Sequence, residues 1–214
     1  MDKPTDLNEL ARLNGTDKYD HNYMPLYDSL FSPFRYESFR ILEIGFAKGR
    51  GARALAEFFP RVNIHCLDYE HKPVRPYLDL FPEDIKKRVH LWRCDQSKIE
   101  QLKQSIRDID HSTSKANGHI TFRIVIDDGS HIPEHQILSY ETIWPYVEPG
   151  GYYVIEDMHP SYDNRTHKTI SYFQNVVHSL NKYGQIHDKK IKQPGIDWVM
   201  FPYNRIVIRK QVTE

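Results

Sequence analysis

Short apolar runs alternate along the chain with longer segments whose apolar residues recur at helical spacing. The predicted strands are RILEIG (40–45), VNIHCLD (62–68), VHLWRCD (89–95), TFRIVIDD (121–128) and YYVIED (152–157). The predicted helices between them are GARALAEFF, SKIEQLKQSIRDI and PEHQILSYETIWPYV. Strands that are apolar throughout and alternate with helices predict a mostly parallel sheet with helices on both faces.

Segments outside this alternation predict a leading helix and a closing pair of strands. LNELARL (7–13) has helical spacing and is followed by Gly15, a typical helix stop. A helix is predicted over about 166–183, and YGQIHDKKI and WVMFPYNRIVIRK behind it predict an antiparallel pair. DHSTSKANGH (110–119) predicts a surface loop, and EPGG (148–151) predicts a tight turn before the fifth strand.

Composition suits one compact domain and narrows the class of protein. The 214 residues are 39% hydrophobic, and Lys+Arg and Asp+Glu balance at 29 each, so overall charge does not favour nucleic acid or an anionic membrane. Since no apolar run reaches the roughly 18 residues of a membrane span and no secretion signal is present, we expect a cytoplasmic protein. Cys66 and Cys94 have no CxxC spacing and are predicted to be buried thiols. We expect one domain over 1–214, with a lid segment over 1–36 and a core over 37–214.

Polar residues at the ends of the first two strands predict a cofactor site. The first strand ends in EIGFAKGRG, which contains Glu43, Gly45, Gly49 and Gly51 ahead of a helix. Asp68 ends the second strand, where an acid can accept hydrogen bonds from ribose hydroxyls. Ala47 stands where a dinucleotide fingerprint has its second glycine, and Glu43 would repel a polyphosphate but attract an ammonium group. The pattern therefore favours a cationic, adenosine-type cofactor.

Acids also end the fourth and fifth predicted strands. VIDDGSH contains Asp127, Asp128 and His131, and YYVIED ends in Glu156 and Asp157. Carboxylates brought together repel unless a cation lies between them, and oxygen ligands suit Mg²⁺, Mn²⁺ or Ca²⁺ rather than zinc. Solvated acids or helix caps are the alternative interpretation. Asp127 is left outside the metal set, because it either caps the next turn or faces the cofactor.

In this order the motifs resemble class I S-adenosylmethionine-dependent methyltransferases. The resemblance rests on E-x-G-x-x-x-G, the acid after the second strand, CDQS after the third, and the acids after the fourth and fifth. NGTDKYDHNYMPLY (14–27), DDGSH and VIEDMH are further similar to the metal-dependent sugar O-methyltransferases of the mycinamicin type. The resemblance covers about residues 13–160. It implies a Rossmann-like core with a mostly parallel seven-stranded sheet and an N-terminal helical lid.

The same resemblance implies two cofactors, S-adenosylmethionine and Mg²⁺, with Mn²⁺ as a substitute, and it assigns residue roles. Asp128, Glu156 and Asp157 match the metal ligands, and His131 matches the general base, since Ser130 replaces the acid that serves as base in related aminocoumarin sugar methyltransferases. The lid is expected to reach the methionine carboxylate or the ribose of S-adenosylmethionine. Asp95 is expected to accept a hydrogen bond from the adenine amino group. The cofactor-binding set is Thr16, Lys18, Tyr23, Glu43, Gly45, Gly49, Asp68, Asp95 and Asp127.

The acceptor that the resemblance implies is a sugar hydroxyl, such as one of rhamnose in a glycan or a glycosylated natural product. A metal-dependent methyltransferase of a catechol or another phenol is the alternative. A nucleotide-binding oxidoreductase or a non-catalytic binding module is disfavoured by Ala47 and Glu43. Relatives in the family assemble as dimers or tetramers, so a homo-oligomer is expected, and the chain fits a domain cut from a larger glycan-synthesising polypeptide. No nucleic acid or membrane span is expected.

Overall fold

The computed structural model describes residues 6–113, 120–163, 167–183 and 195–212. The chain forms two compact units, Met1–Arg93 and Cys94–Glu214. The strands of the seven-stranded, mostly parallel sheet are β1 Arg40–Ile44, β2 Asn63–Asp68, β3 Val89–Arg93, β4 Phe122–Asp127, β5 Val147–Glu156, β6 Ile196–Met200 and β7 Arg205–Lys210. The predicted fold class is confirmed, whereas the single domain over 1–214, with its lid and core, stays a prediction.

The described helices cover most of the remaining chain. They are α1 Leu7–Asn14, α2 Asp17–Asp20, α3 Met24–Phe31, α4 Arg50–Phe58, α5 His71–Asp79, α6 Glu83–Lys86, α7 Ile99–Thr113, α8 Pro133–Ile143, α9 His159–Asp163 and α10 Lys168–Tyr183. Short 3-10 helices follow α3 and α8. Within the described residues, no helix combines the length and the hydrophobicity that crossing a membrane requires.

In the first unit the strand order is β3-β2-β1, and both pairs are parallel. The predicted leading helix is confirmed: Asp6 caps α1 by accepting hydrogen bonds from two backbone N–H groups of its first turn, and Gly15 ends the helix in a left-handed conformation. Leu7 and Leu10 are buried, and α1 packs against α3 and α4. The polar leader is therefore anchored by an apolar face.

In the second unit the strand order is β4-β5-β7-β6, in which β4 and β5 are parallel and β7 is antiparallel to both of its neighbours. The closing pair is antiparallel as predicted, but both of its strands, β6 and β7, lie within residues 196–210, so WVMFPYNRIVIRK contains a turn between two strands instead of forming one strand. The other predicted strand, YGQIHDKKI (183–191), begins at the last residue of α10, and residues 184–191 lie outside the described residues. An aromatic cluster fills this unit, in which Tyr140 contacts Tyr153 and Phe173 edge to face. Burying each such ring stabilises the fold by about 1.5–3 kcal/mol.

Two predicted connections are wrong. The EPGG segment does not turn but belongs to β5, because Phe122 pairs with Val147 and Ile124 already pairs with Tyr152, so that β5 accommodates extra residues as a bulge. The predicted loop over 110–119 begins later, since α7 continues to Thr113, and residues 114–119 lie outside the described residues. Both cysteines are buried free thiols, as predicted.

Candidate active site

Three candidate metal ligands meet in the second unit. The parallel pairing of β4 and β5 brings the two strand ends to one edge, with Asp127 opposite Ile155, so the residues that follow each strand come together. One potential ligand atom each from Asp128, His131 and Asp157 lies within 4.8 Å of the other two. All three side chains are half-buried. His131 Nε2 is 3.8 Å from Asp157 Oδ2, close enough for a charge interaction when the imidazole is protonated.

Two members of this cluster have unusual backbone conformations. His131 and Asp157 have φ angles of 57° and 55°, in the left-handed region that non-glycine residues rarely adopt. Such conformations cost about 1–3 kcal/mol each and persist where the surroundings impose them, often at functional sites. The loops after β4 and β5 are therefore held in place by other contacts.

Glu156, the third acid of the predicted metal set, is placed differently from its neighbour. It is the last residue of β5 and is 1% exposed, and the Gln136 side-chain amide donates a hydrogen bond to its backbone oxygen at 3.2 Å. Among the described residues, the close group of potential ligand atoms contains Asp128, His131 and Asp157 but not Glu156. Metal ligation by Glu156 stays a prediction. His131 lies close enough to Asp128 and Asp157 to be the third metal ligand in its stead.

Asp127, the last residue of β4, is buried next to Asp128 in the chain. Gln96 Nε2 donates to Asp127 Oδ1 at 2.7 Å, and Gln96 Oε1 accepts from the Ser130 backbone N–H at 2.9 Å. Burial raises the pKa of Asp127 to about 7, although the hydrogen bonds from Gln96 and the Gly129 backbone act in the opposite direction. The predicted contact of Asp127 with a cofactor stays a prediction. The role of Gln96 was not predicted from the sequence, because Asp95 is the charged residue of the CDQS motif and was the one considered as a site residue.

Asp95 opens the loop that carries Gln96. Its Oδ1 accepts from the Ser97 backbone at 2.9 Å and from the Ser97 hydroxyl at 2.6 Å. The hydroxyl hydrogen bond is the largest influence that lowers the pKa of the Asp95 carboxyl. Asp95 therefore stabilises its own turn as an acceptor, and its contact with an adenine amino group stays a prediction.

In the first unit, Asp68 organises the loop that follows β1. Its Oδ2 accepts from the backbone N–H groups of Phe46 and Ala47 at 2.8 and 3.2 Å, and its Oδ1 accepts from Glu70 N at 2.7 Å. Ala47 itself is left-handed, with a φ of 46°. The alanine thus takes a conformation that glycine would adopt more readily, and Asp68 holds it there. Each carboxylate oxygen can accept further hydrogen bonds.

Two glycines at the start of α4 are required by close packing. A Cβ on Gly49, whose φ is 69°, would lie 2.4 Å from Phe46 Cζ and 2.8 Å from Phe81 Cζ. A Cβ on Gly51 would lie 2.9 Å from Lys18 Cε and 3.1 Å from Glu43 Oε1. Because position 51 has no side chain, Lys18 of the leader and Glu43 of β1 can both approach the start of α4 there.

The predicted leader residues are all buried. Lys18 is 3% exposed and Tyr23 is fully buried, while the Thr16 hydroxyl caps α2 by accepting from Lys18 N at 3.4 Å. Glu43 is 3% exposed, and the Cys66 thiol donates to its Oε2 at 3.8 Å. The structure thus brings Lys18 and Glu43 together, whereas Thr16 and Tyr23 are parts of the packed leader whose contact with a cofactor stays a prediction.

The fold and the sequence place this chain in a family of methyltransferase domains. The model of the family described as Methyltransferase domain matches residues 42–158, more than half of the 214 residues, and the chain belongs to this family. Similar curated proteins are the 8-demethyl-8-(2-methoxy-alpha-L-rhamnosyl)-tetracenomycin-C 3'-O-methyltransferase of Streptomyces olivaceus, 32% identical over 75% of this chain, and the mycinamicin VI 2''-O-methyltransferase of Micromonospora griseorubida, 34% identical over 73%. This chain spans only 38% and 37% of their lengths.

A solved structure agrees with this assignment. The MycE methyltransferase from the mycinamycin biosynthetic pathway, in complex with Mg, SAH and mycinamycin VI, is 28% identical with a TM-score of 0.77. The comparison covers 98% of this chain and 55% of that one. The resemblance stated from the motifs is confirmed by these relatives.

Proposed function

We propose that this protein is an S-adenosylmethionine- and Mg²⁺-dependent O-methyltransferase that acts on a sugar hydroxyl of a glycosylated compound. The observation that carries the proposal is the approach of potential ligand atoms of Asp128, His131 and Asp157 to within 4.8 Å of one another at the strand ends. The names of the relatives support the reaction, since each names an O-methyltransferase. Rhamnose as the sugar is proposed because one of these names contains a rhamnosyl group.

The first unit has the charges that S-adenosylmethionine requires. The methionine end of this cofactor carries an ammonium and a carboxylate, and buried Glu43 and Lys18, which meet beside Gly51, can pair with them. Asp68 has acceptor capacity left for ribose hydroxyls. When bound, S-adenosylmethionine supplies a methyl group that its sulfonium activates. Glu43 also favours a cationic cofactor over a polyphosphate.

The second unit has the donors that a hard divalent cation requires. Asp128 and Asp157 offer carboxylate oxygens in one place, and Glu156 is proposed as the third acid on the family resemblance. When bound, Mg²⁺ supplies positive charge that offsets these carboxylates and makes a nearby hydroxyl more acidic. The carboxylates would hold the ion, and the buried hydrogen bond between Gln96 and Asp127 keeps the loop of Asp128 in position.

His131 is proposed as the general base. The imidazole would take the proton of the acceptor hydroxyl, and Asp157, whose Oδ2 lies 3.8 Å from Nε2, places a negative charge beside the ring. An imidazole suits this role near neutral pH, and a carboxylate partner also orients the ring. A homo-oligomer, a cytoplasmic location and an origin within a longer glycan-synthesising polypeptide stay predictions.

The test is methyl transfer with labelled S-adenosylmethionine to a rhamnoside acceptor and, in parallel, to a catechol. We expect methylation of the rhamnoside that EDTA abolishes and Mg²⁺ restores, with product mass and linkage analysis naming the hydroxyl. Calorimetric titrations with S-adenosylmethionine and with NAD accompany it. Full activity in EDTA would exclude the metal role, methylation of the catechol alone would favour the phenolic alternative, and binding of NAD alone would exclude a methyltransferase.

A further inference from the structure

Asn204 contacts three successive residues at the end of β5. Its side-chain Nδ2 donates to Asp157 Oδ1 at 3.1 Å, its Oδ1 accepts from His159 N at 2.8 Å, and its backbone oxygen accepts from Met158 N at 3.1 Å. One asparagine thus binds the whole turn that leads from β5 into α9. The family model ends at residue 158, so this contact comes from a part of the chain beyond the matched region.

The pairing of β5 with β7 brings Asn204 to this place. Glu156 is opposite Arg205 in the antiparallel ladder, and the residues just outside that pair are therefore Asp157 and Asn204. Both have left-handed backbones, with φ angles of 55° and 54°. Asparagine and aspartate tolerate this conformation better than most residues, but it persists only when contacts impose it. Asn204 provides such contacts, with one hydrogen bond to Asp157 itself and two to the residues that follow it.

The two oxygens of Asp157 have different neighbours. Oδ1 accepts from the Asn204 amide, and Oδ2 is the oxygen that lies 3.8 Å from His131 Nε2. An amide donor on one oxygen fixes the rotation of the carboxylate and so directs the other oxygen. Without this donor, the half-buried Asp157 side chain can turn away from Asp128 and His131.

We propose that Asn204 is a positioning residue for the metal site, which acts by holding Asp157 in its left-handed conformation with Oδ2 directed at the cluster. This inference rests on the proposed function, because it assumes that the cluster binds a divalent cation. Donors of this kind behind a metal ligand typically contribute 10–100-fold to metal affinity. The proposal adds a residue from the β6–β7 connection to a site otherwise built from the ends of β4 and β5.

The test is titration of the metal-free protein with Mn²⁺, followed by the electron paramagnetic resonance signal of free Mn²⁺. Asn204→Gly removes the side chain, suits the left-handed backbone and keeps the backbone acceptor, and it is expected to weaken Mn²⁺ binding by about 10–100-fold. Asn22→Gly is the matched control, because Asn22 also has a left-handed backbone, with a φ of 57°, but lies in the first unit. The Asn22→Gly variant should bind Mn²⁺ as tightly as the unchanged protein. Asn204→Ser is the second variant, which removes the amide donor but keeps a polar side chain in the turn. It is expected to weaken Mn²⁺ binding by the same factor as Asn204→Gly.

Two further measurements separate positioning from general destabilisation. In the Asp157→Asn background, Asn204→Gly should change the remaining Mn²⁺ affinity less than twofold, because its effect passes through the Asp157 carboxylate. The melting temperature in EDTA reports stability without metal. Wild-type affinity in the folded Asn204 variants, or an equal loss in both backgrounds, would overturn the proposal while leaving the proposed function intact. Failure of the unchanged protein to bind Mn²⁺ would overturn both.

Discussion

The side chains of Gln96 and Asp127 are joined by a buried hydrogen bond of 2.7 Å, and the other end of the same amide accepts from the backbone of Ser130. Gln96 is thus satisfied at both ends and connects the residue that ends β4 to the loop that carries Asp128 and His131. A buried network of this kind is rigid when complete and costly when one member is removed. The loop therefore depends on an uncharged residue that holds it through two hydrogen bonds.

Replacing Gln96 by Leu should destabilise the protein by about 2 kcal/mol, because it leaves the buried Asp127 carboxyl without this donor and the Ser130 N–H without its acceptor. Urea unfolding followed by circular dichroism measures the change. Gln104→Leu is the matched control, since Gln104 lies on the exposed face of α7 with its own hydrogen bond to Asp108. Equal losses in the two variants would contradict a special role for Gln96.

The two interpretations of His131, as base and as ligand, predict different behaviour of His131→Ala. We expect this variant to keep Mn²⁺ affinity within about threefold and to lose methyl transfer by about 100-fold or more, as for removal of a general base. His178→Ala, at an exposed position of α10, is the control. Loss of Mn²⁺ binding in His131→Ala would instead make the imidazole a metal ligand.

The carboxylates can be ranked by the same Mn²⁺ titration. Asp128→Asn, Glu156→Gln and Asp157→Asn are each expected to weaken Mn²⁺ binding by about tenfold or more, because an amide replaces a charged ligand of a hard cation. The result for Glu156 is the informative one, since its carboxylate is not in the close group of Asp128, His131 and Asp157. Unchanged affinity in Glu156→Gln would remove it from the ligand set.

Gly49→Ala should destabilise the first unit by about 2–4 kcal/mol, because the new Cβ meets Phe46 and Phe81 and the left-handed backbone adds its own cost. Gly195→Ala separates the two effects, since Gly195 has a φ of 76° but, among the described residues, no atom lies within 4 Å of a built Cβ. Its expected loss is about 1 kcal/mol. Thermal unfolding measures both variants, and a loss in Gly49→Ala no larger than that in Gly195→Ala would contradict the steric argument.

His65 should make the protein sensitive to acid. Burial, with smaller effects of His90 and Arg40, lowers the pKa of His65 to about 3, whereas an unfolded histidine titrates near 6.5. The unfolded chain therefore takes up a proton between these values that the folded protein does not, so His65 stabilises the fold above pH 6.5 and this stabilisation is lost as the pH falls towards 3. Between pH 6.5 and pH 4 the loss is about 3 kcal/mol.

His65→Leu is expected to flatten the curve of unfolding free energy against pH in that interval. Urea titrations at a series of pH values give the curve. His111→Leu, which removes an exposed histidine from α7, is the matched control. Identical slopes for the two variants between pH 6.5 and pH 4 would show that His65 does not cause the acid sensitivity.

The sequence by itself determined the alternation of strands and helices, the mostly parallel sheet and the family. Buried strands and amphipathic helices impose local periods that can be read along the chain. The acids at the ends of β1, β2, β4 and β5 stand out because charged groups rarely end apolar runs. The prediction from sequence was wrong where one local pattern fits two structures, as at EPGG. The EPGG segment contains the residues of a turn, but whether a strand turns or bulges depends on the partner strand.

Only the tertiary structure decided which side chains meet. Gln96 reaches Asp127 across 31 positions of the chain, and Asn204 reaches Asp157 across 47. Neither Gln96 nor Asn204 carries a charge or a motif that singles it out, and their importance comes from strand pairing and burial, which no local pattern records. The same holds for the ligand cluster, since the spacing of Asp128, His131, Glu156 and Asp157 is known from the sequence, while the directions of their side chains depend on backbone angles that long-range contacts impose.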